Sequence, residues 1–291
     1  MGALDGRVCI VTGAGRGIGR EHALYLASQG AKVVVNDLGG NIDGTGADRA
    51  PAQQVVDEIK EMGGEAVANV DSVSDWEGAE RLIQTAIDTF GTLHVLVNNA
   101  GILRDRVIVN MTEEEWDAVI NVHLKGHFAP LHHAAAYWRQ QAKAGNPLKA
   151  SVIHTSSESG LFGNPGQSNY GAAKAGIAAL SIIASKELAR YGVRSNTIAP
   201  RARTRLTEST FGSQALSVPE GQFDIWDPAN ISPVVAWLAH EDCPANGETF
   251  FVFGGTVQRV KGWTFDEEHK IEKASRWTLD ELLEEGKRLL G

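Results

Sequence analysis

Short β-rich runs alternate with amphipathic stretches along most of the chain, as in IVTG after Cys9 and VVVND after Lys32. That alternation predicts an α/β fold, a parallel sheet with helices on both faces. Strands are expected at Arg7–Thr12, Lys32–Asp37, Glu65–Val70, Leu93–Asn98, Ser151–Ser156, Arg194–Ile198 and Thr249–Phe253. Helices are expected to begin near Ile18, Pro51, Asp75, Thr112, Gln167 and Pro228. Thr112 followed by Glu115 reads as a capping box, and Pro51 suits a first helical turn.

Two regions fall outside the repeating unit. Arg201–Asp227 is a long, weakly periodic segment, and such segments usually act as lids or binding loops. From Thr256 the chain turns highly charged, and WTLDELLEEGKRLL reads as a capped amphipathic helix starting at Thr278. One domain over residues 1–255 is therefore expected. Residues 256–291 would be an extension packed on the core or on a neighbouring subunit.

Composition narrows the function. With 43% apolar and 22% charged residues, the 291-residue chain has the make-up of a soluble globular protein. No run approaches the ~18 apolar residues of a membrane span, and no secretory pattern precedes the first strand. Cys9 and Cys243 are too few for a disulfide framework, which suits a reducing, cytoplasmic setting. A net charge of −9 argues against a nucleic-acid partner, and an anionic substrate would need a local basic patch.

Directly after the first strand, TGAGRGIG places Gly13, Gly17 and Gly19 in a GxxxGxG spacing. A tight turn there brings backbone and a helix N-terminus close to a pyrophosphate, so a dinucleotide site is expected. Asp37, about 20 residues further on, is where a carboxylate accepts hydrogen bonds from an adenosine ribose. It would repel the extra phosphate of NADP. Arg16 pulls the other way, but the carboxylate dominates, and NAD is the expected cofactor.

Ser157, Tyr170 and Lys174 carry the candidate chemistry. Tyr and Lys at i and i+4 share a helix face, and an ammonium beside a phenol favours the phenolate. That would turn a group of pKa about 10 into a base usable near neutral pH.

Together with Asp71, NNAG at 98–101 and Asn121 in NVHLKG, these motifs resemble the short-chain dehydrogenase/reductase family over Gly6 to about Gly255. The resemblance implies a Rossmann-type, doubly wound, three-layer α/β/α fold with a seven-stranded sheet, assembled as a homodimer or homotetramer. Residue by residue, it implies Tyr170 as acid/base and Lys174 as its partner and a holder of the nicotinamide ribose. Ser157, rather than the adjacent Ser156, would bond the reacting oxygen, and Asn121 would hold a water in a proton relay. Around the cofactor it implies Gly13, Arg16, Gly17, Ile18 and Gly19, then Asp71 and Ser72 on the adenine, then Asn98, Ala100 and Gly101. Pro200 and Thr204 would lie on the nicotinamide side. Arg201 stands where the family commonly has Gly, which blurs the match after Pro200.

VVVNDLGG, NNAGILRDR and NTIAP are most similar to the (3R)-hydroxyacyl-CoA dehydrogenase branch of that family, represented by type 2 peroxisomal multifunctional enzymes and bacterial stand-alone relatives. The implied reaction is reversible oxidation of a 3-hydroxyacyl-CoA, with a free hydroxysteroid or other secondary alcohol as the alternative and a silent nucleotide-binding protein as a remote one. Arg201, Arg203 and Arg205 could contact the phosphates of an acyl-CoA; equally, they could pair with acids such as Glu208 or bridge subunits. His123, His127, His132 and His133 lack the HExxH arrangement, and no metal is expected.

Overall fold

The computed structural model describes residues 2–205, 207–208, 218–219 and 221–290. Seven strands run parallel: β1 (Val8–Thr12), β2 (Lys32–Asn36), β3 (Glu65–Asn69), β4 (Val95–Asn98), β5 (Ala150–Thr155), β6 (Val193–Arg201) and β7 (Thr249–Phe253). An eighth, β8 (Thr256–Val260), pairs antiparallel with β7. Their order in the sheet is β3-β2-β1-β4-β5-β6-β7-β8. The expected doubly wound α/β sheet is present, with eight strands among the described residues where seven were expected.

Period-two geometry sends alternate residues of a strand to opposite faces, and here both faces are covered. Cys9 and Val11 of β1 join one core with residues of α1 (Gly17–Ser28), α2 (Ala50–Glu61) and α8 (Ser232–Ala239). Val8 and Ile10 join the other, with α3 (Trp76–Phe90), α5 (Gly126–Lys143) and α7 (Ser168–Leu188). That double burial is why the strands read as continuous apolar runs. Each fully buried Leu or Ile side chain contributes roughly 1.5–3 kcal/mol. The Cys9 thiol is one of these packed groups, and burial pushes it up to about 12.

Helix starts follow the predicted signals. Asp75 caps α3 by accepting from the Gly78 N–H, and Thr112 and Glu115 close a capping box on α4 (Glu113–Ile120). No break separates α4 from α5. They are joined by a π-helical turn, Asn121–Lys125. Widened turns of this kind recur at functional sites.

β8 escaped the sequence pattern for a physical reason. It is an edge strand, largely exposed, and so carries no apolar run. A Gly254-Gly255 hairpin signal was present, with Gly254 at φ +52°. Residues Thr256–Val260 thus belong to the sheet, not to the extension they were expected to open. The chain divides into two compact units, 1–260 and 261–291. In the second, Thr278 and Glu281 form a capping box on α9 (Leu279–Glu285), as its sequence predicts. No helix among the described residues is long and apolar enough to cross a membrane.

The site is positioned by the strand order. β1 leads through α1 to β2 and β3 on one side, whereas β4 lies on its other side. Ligands of open α/β sheets bind at the carboxyl ends of strands where the order reverses in this way.

Candidate active site

Two strand ends are pinned together at this crevice. Thr12 Oγ1 accepts from the backbone N–H groups of Asn99 and Ala100 at 2.9 and 3.1 Å. Asn99 Nδ2 donates to the carbonyls of Thr12 and Gly13 at 3.0 and 3.3 Å. Gly13 has φ +63°, and a Cβ there would lie 2.8 Å from Ala100 Cα. Only glycine permits both the turn and this approach. Asp37, just past β2, closes the arrangement: Oδ2 accepts from Gly15 N–H at 2.7 Å and Oδ1 from Gly39 N–H at 2.6 Å. Each oxygen keeps a second lone pair for another donor.

The crevice opens into a cavity of about 280 Å³. Gly13, Arg16, Gly17, Ile18, Gly19 and Asp37 are on its wall, as are Asp71, Ser72, Ala100 and Gly101. Tyr170, Lys174, Pro200 and Thr204 line it as well. One expected cofactor residue does not. Asn98 is fully buried, its Nδ2 donating to the His127 carbonyl at 3.2 Å, while the next residue, Asn99, faces the cavity. Alternation along β4 points neighbouring side chains to opposite sides.

Several wall residues were not anticipated. The loop after β2 contributes Leu38, Asn41 and Ile42, and it is tied down by Leu103 N–H to Ile42 O at 3.0 Å and Arg104 Nε to Asp43 O at 2.9 Å. Its length in the sequence was the available signal. Much of the segment 201–227, expected as a lid, lies outside the described residues, and its described part includes Thr204 and Arg205 on the cavity wall.

Tyr170 and Lys174 lie one turn apart on α7. The Ser157 hydroxyl acts on the Tyr170 phenol, favouring its ionised form, while Ser156 Oγ donates to the Lys174 carbonyl at 2.8 Å. The structure therefore separates the two serines, with Ser157 at the phenol. Ser157 also caps the short helix α6 (Glu158–Phe162), which packs tightly on α7: a Cβ at Gly160 would sit 2.6 Å from the Lys174 backbone.

The electrostatics differ from the simple expectation. Lys174 Nζ donates to Thr155 O at 2.6 Å and lies 5.4 Å from the Tyr170 ring centre. Burial pushes the Tyr170 phenol up to about 12, against the pull of the Ser157 hydroxyl. Burial likewise pulls the Lys174 ammonium down to about 7. Each ion loses its hydration, and at this separation neither repays the other. In this state Tyr170 is a neutral phenol, a proton donor rather than a preformed base.

Asn121 is corrected by its surroundings. It opens the π turn as an exposed residue and is not on the cavity wall. His123, two residues on, is 1% exposed and lines the cavity. Its Nε2 meets the Ile102 carbonyl at 2.8 Å, and its ring stands edge-to-face with Tyr170 at 5.1 Å and 89°. Behind it runs a buried polar row. Asn98, His154 and Thr197 are in register across β4, β5 and β6, and His127 stacks on His154 at 5.7 Å. Burial first, then the Lys174 charge, pulls His123 and His154 down to about 3.

His132 and His133 take no part in the site; their rings pack against Trp76 at 4.7 and 4.9 Å. Among the described residues no three His, Cys, Asp or Glu side chains gather as metal ligands. Two of the expected substrate arginines are engaged by acids other than Glu208. Arg201 binds Glu158 through two hydrogen bonds, 2.9 and 2.7 Å, and Arg203 pairs with Asp224. Arg205 is on the cavity wall.

Comparison with known proteins bears on this geometry. The short chain dehydrogenase family profile matches residues 7–213. A hydroxyacyl-CoA dehydrogenase, ChsB1, of Mycobacterium tuberculosis is 46% identical over 264 residues, covering 88% of this chain and 80% of that protein. The peroxisomal multifunctional enzyme type 2 of Drosophila melanogaster is 49% identical over 259 residues, 89% of this chain but 40% of its own length. The crystal structure of a short chain dehydrogenase from Mycobacterium avium superposes with TM-score 0.88 at 51% identity, covering 99% of this chain and 96% of that one.

Proposed function

We propose that this chain, which belongs to the short-chain dehydrogenase family and is an oxidoreductase acting on hydroxyl groups, reversibly oxidises a 3-hydroxyacyl-CoA to the 3-ketoacyl-CoA with NAD. The observation that carries the reading is one cavity lined both by a glycine-built cradle ending at Asp37 and by Tyr170 and Lys174, with Ser157 acting on the Tyr170 phenol from just outside the cavity wall. Similarity to a hydroxyacyl-CoA dehydrogenase supports the acyl-CoA substrate.

The cradle suits a dinucleotide. A Cβ at Gly13 would fill the space beside Ala100, and a Cβ at Gly15 would lie 2.9 Å from Asp37 Oδ2. Gly17, Ile18 and Gly19 at the start of α1 would face the pyrophosphate, where the helix N-terminus favours an anion. Asp37 would bind the adenosine ribose and disfavour a phosphate on it, which supports NAD over NADP. Asp71 and Ser72 would border the adenine, and Pro200 and Thr204 the nicotinamide. When bound, the nicotinamide supplies hydride acceptance and return. Ser157 would hold the substrate oxygen, and Tyr170 would exchange a proton with it at the phenolic oxygen. As a neutral phenol, Tyr170 is ready to donate to an alkoxide that develops during ketone reduction. For alcohol oxidation Lys174 would stabilise the phenolate as it forms. Of the three arginines, Arg205, on the cavity wall, would meet a CoA phosphate, while Arg201 and Arg203, paired with Glu158 and Asp224, would shape the rim.

A panel of 3-hydroxyacyl-CoAs and hydroxysteroids, each with NAD and NADP, tests this by following reduced nicotinamide. The expected result is fastest turnover of a 3-hydroxyacyl-CoA, with NAD preferred at least about tenfold, or roughly 1.4 kcal/mol. Preference for a free hydroxysteroid overturns the substrate, and preference for NADP overturns the role of Asp37.

A further inference from the structure

We propose that His123, rather than Asn121, completes the proton-handling group, as a positioning residue that fixes the Tyr170 ring and Lys174 for transfer. The inference rests on the reading of Ser157, Tyr170 and Lys174 as the reacting set, and it assigns a role to a residue which that reading leaves idle.

Four observations carry it. His123 is almost wholly buried yet lies on the cavity wall, so one side of its ring faces the site and the other the core. Its ring is in edge-to-face contact with Tyr170, an arrangement that orients both rings. Its seat is built for it: a Cβ at Gly101 would come within 2.4 Å of His123 Cε1, so NNAG must end in glycine for the imidazole to fit. Finally, Nε2 meets both the carbonyl and the N–H of Ile102, at 2.8 and 3.1 Å, while Nδ1 has no hydrogen-bond partner among the described residues. The shorter contact favours the proton on Nε2, which leaves Nδ1 a buried acceptor.

The groups facing this ring are Tyr170 and Lys174 from α7, with His127 of α5 and His154 of β5 behind, and Asp105 acting on the Tyr170 side. None offers His123 a carboxylate partner, and the imidazole stays neutral. A neutral imidazole adds no second positive charge next to the ammonium of Lys174 and keeps one ring nitrogen free of a proton. Asn121, exposed at the start of the π turn, does not line the cavity.

The test compares His123→Phe, His123→Asn and Asn121→Ala with the parent protein. Phe keeps the ring and its edge contact but removes both nitrogens; Asn keeps a donor and an acceptor. The substrate is whichever secondary alcohol the parent oxidises, so failure of the acyl-CoA reading leaves the comparison intact. Expected are a fall in kcat of about tenfold or more for His123→Phe, with a changed pH profile and solvent isotope effect, and recovery of most of that loss in His123→Asn. The NADH dissociation constant, read by fluorescence, should stay within about twofold in all three, and Asn121→Ala should keep parental kcat. Unchanged kcat and pH profile in a folded His123→Phe protein would overturn the proposal, as would a tenfold loss confined to Asn121→Ala. If His123→Phe does not fold, loss of kcat in a folded His123→Asn at unchanged KM decides against it.

Discussion

The cofactor cradle and the reacting group share one cavity but solve opposite problems. In the cradle, polar groups find protein partners: Thr12, Asn99, Gly15 and Asp37 bind one another across two strand ends. Around Lys174 the reverse holds. Asn98 Oδ1, His127 Nε2, both nitrogens of His154 and Thr155 Oγ1 are buried without partners among the described residues. The first region is held by hydrogen bonds between its own strand ends and turns. The second is costly to fold, since desolvated groups titrate far from their usual values. Stability and proton chemistry are thus drawn from different halves of one crevice.

Four changes would break or sharpen this contrast. Tyr170→Phe should lower turnover by about 10²–10⁴-fold while leaving the melting temperature and NADH binding intact; unimpaired turnover would remove the proposed mechanism. Low pH should attack the reacting half next. Unfolded imidazoles take a proton near pH 6.5, whereas His123 and His154 do so only near 3 in the folded chain. Between those limits the unfolded chain binds more protons, so stability falls as pH falls, by on the order of several kcal/mol by pH 4. A melting temperature flat from pH 6.5 to 4.5 would contradict this.

Smaller effects belong to the cradle and the rim. Asn99→Ala removes two bonds to the glycine turn and should cost about 1–3 kcal/mol, seen in denaturant midpoints, with weaker NADH binding. If midpoints hold and binding does not change, the pinning described for Asn99 is incidental. Arg201→Ala, breaking an exposed pair with Glu158, should change stability by about 0–1 kcal/mol. A larger loss of kcat/KM on acyl-CoA than on a free hydroxysteroid would restore Arg201 to phosphate binding.

How much of this was legible in the sequence divides along the same line. Strands buried on both faces declare themselves as apolar runs, so each end of β1 to β7 lies three residues or fewer from its expected position. Capping chemistry located α4 and α9. β8 was not found, because an edge strand has no apolar run to show. At the site, spacing foretold that Tyr170 and Lys174 share a helix turn, and the offset to Tyr170 nominated Ser157. Asn98 and Asn121 were misplaced because identity and order along the chain do not report which way a side chain turns. Nor could spacing foresee that burial would raise the Tyr170 phenol rather than lower it, since desolvation depends on everything packed around a group.

The π turn at Asn121–Lys125 keeps α4 and α5 in phase around an extra residue. Each residue in an α-helix advances the chain by about 100°, and a π turn absorbs one residue without that advance. Remove one residue from this turn and the backbone can close into regular α pitch with α5 unrotated against α4, so His127 would stay on His154. Only the side chains within the turn, His123 among them, would be dealt to new directions. A deletion inside the turn should therefore act on the site and spare the helix packing, whereas a deletion further along α5 would rotate all that follows by about 100°.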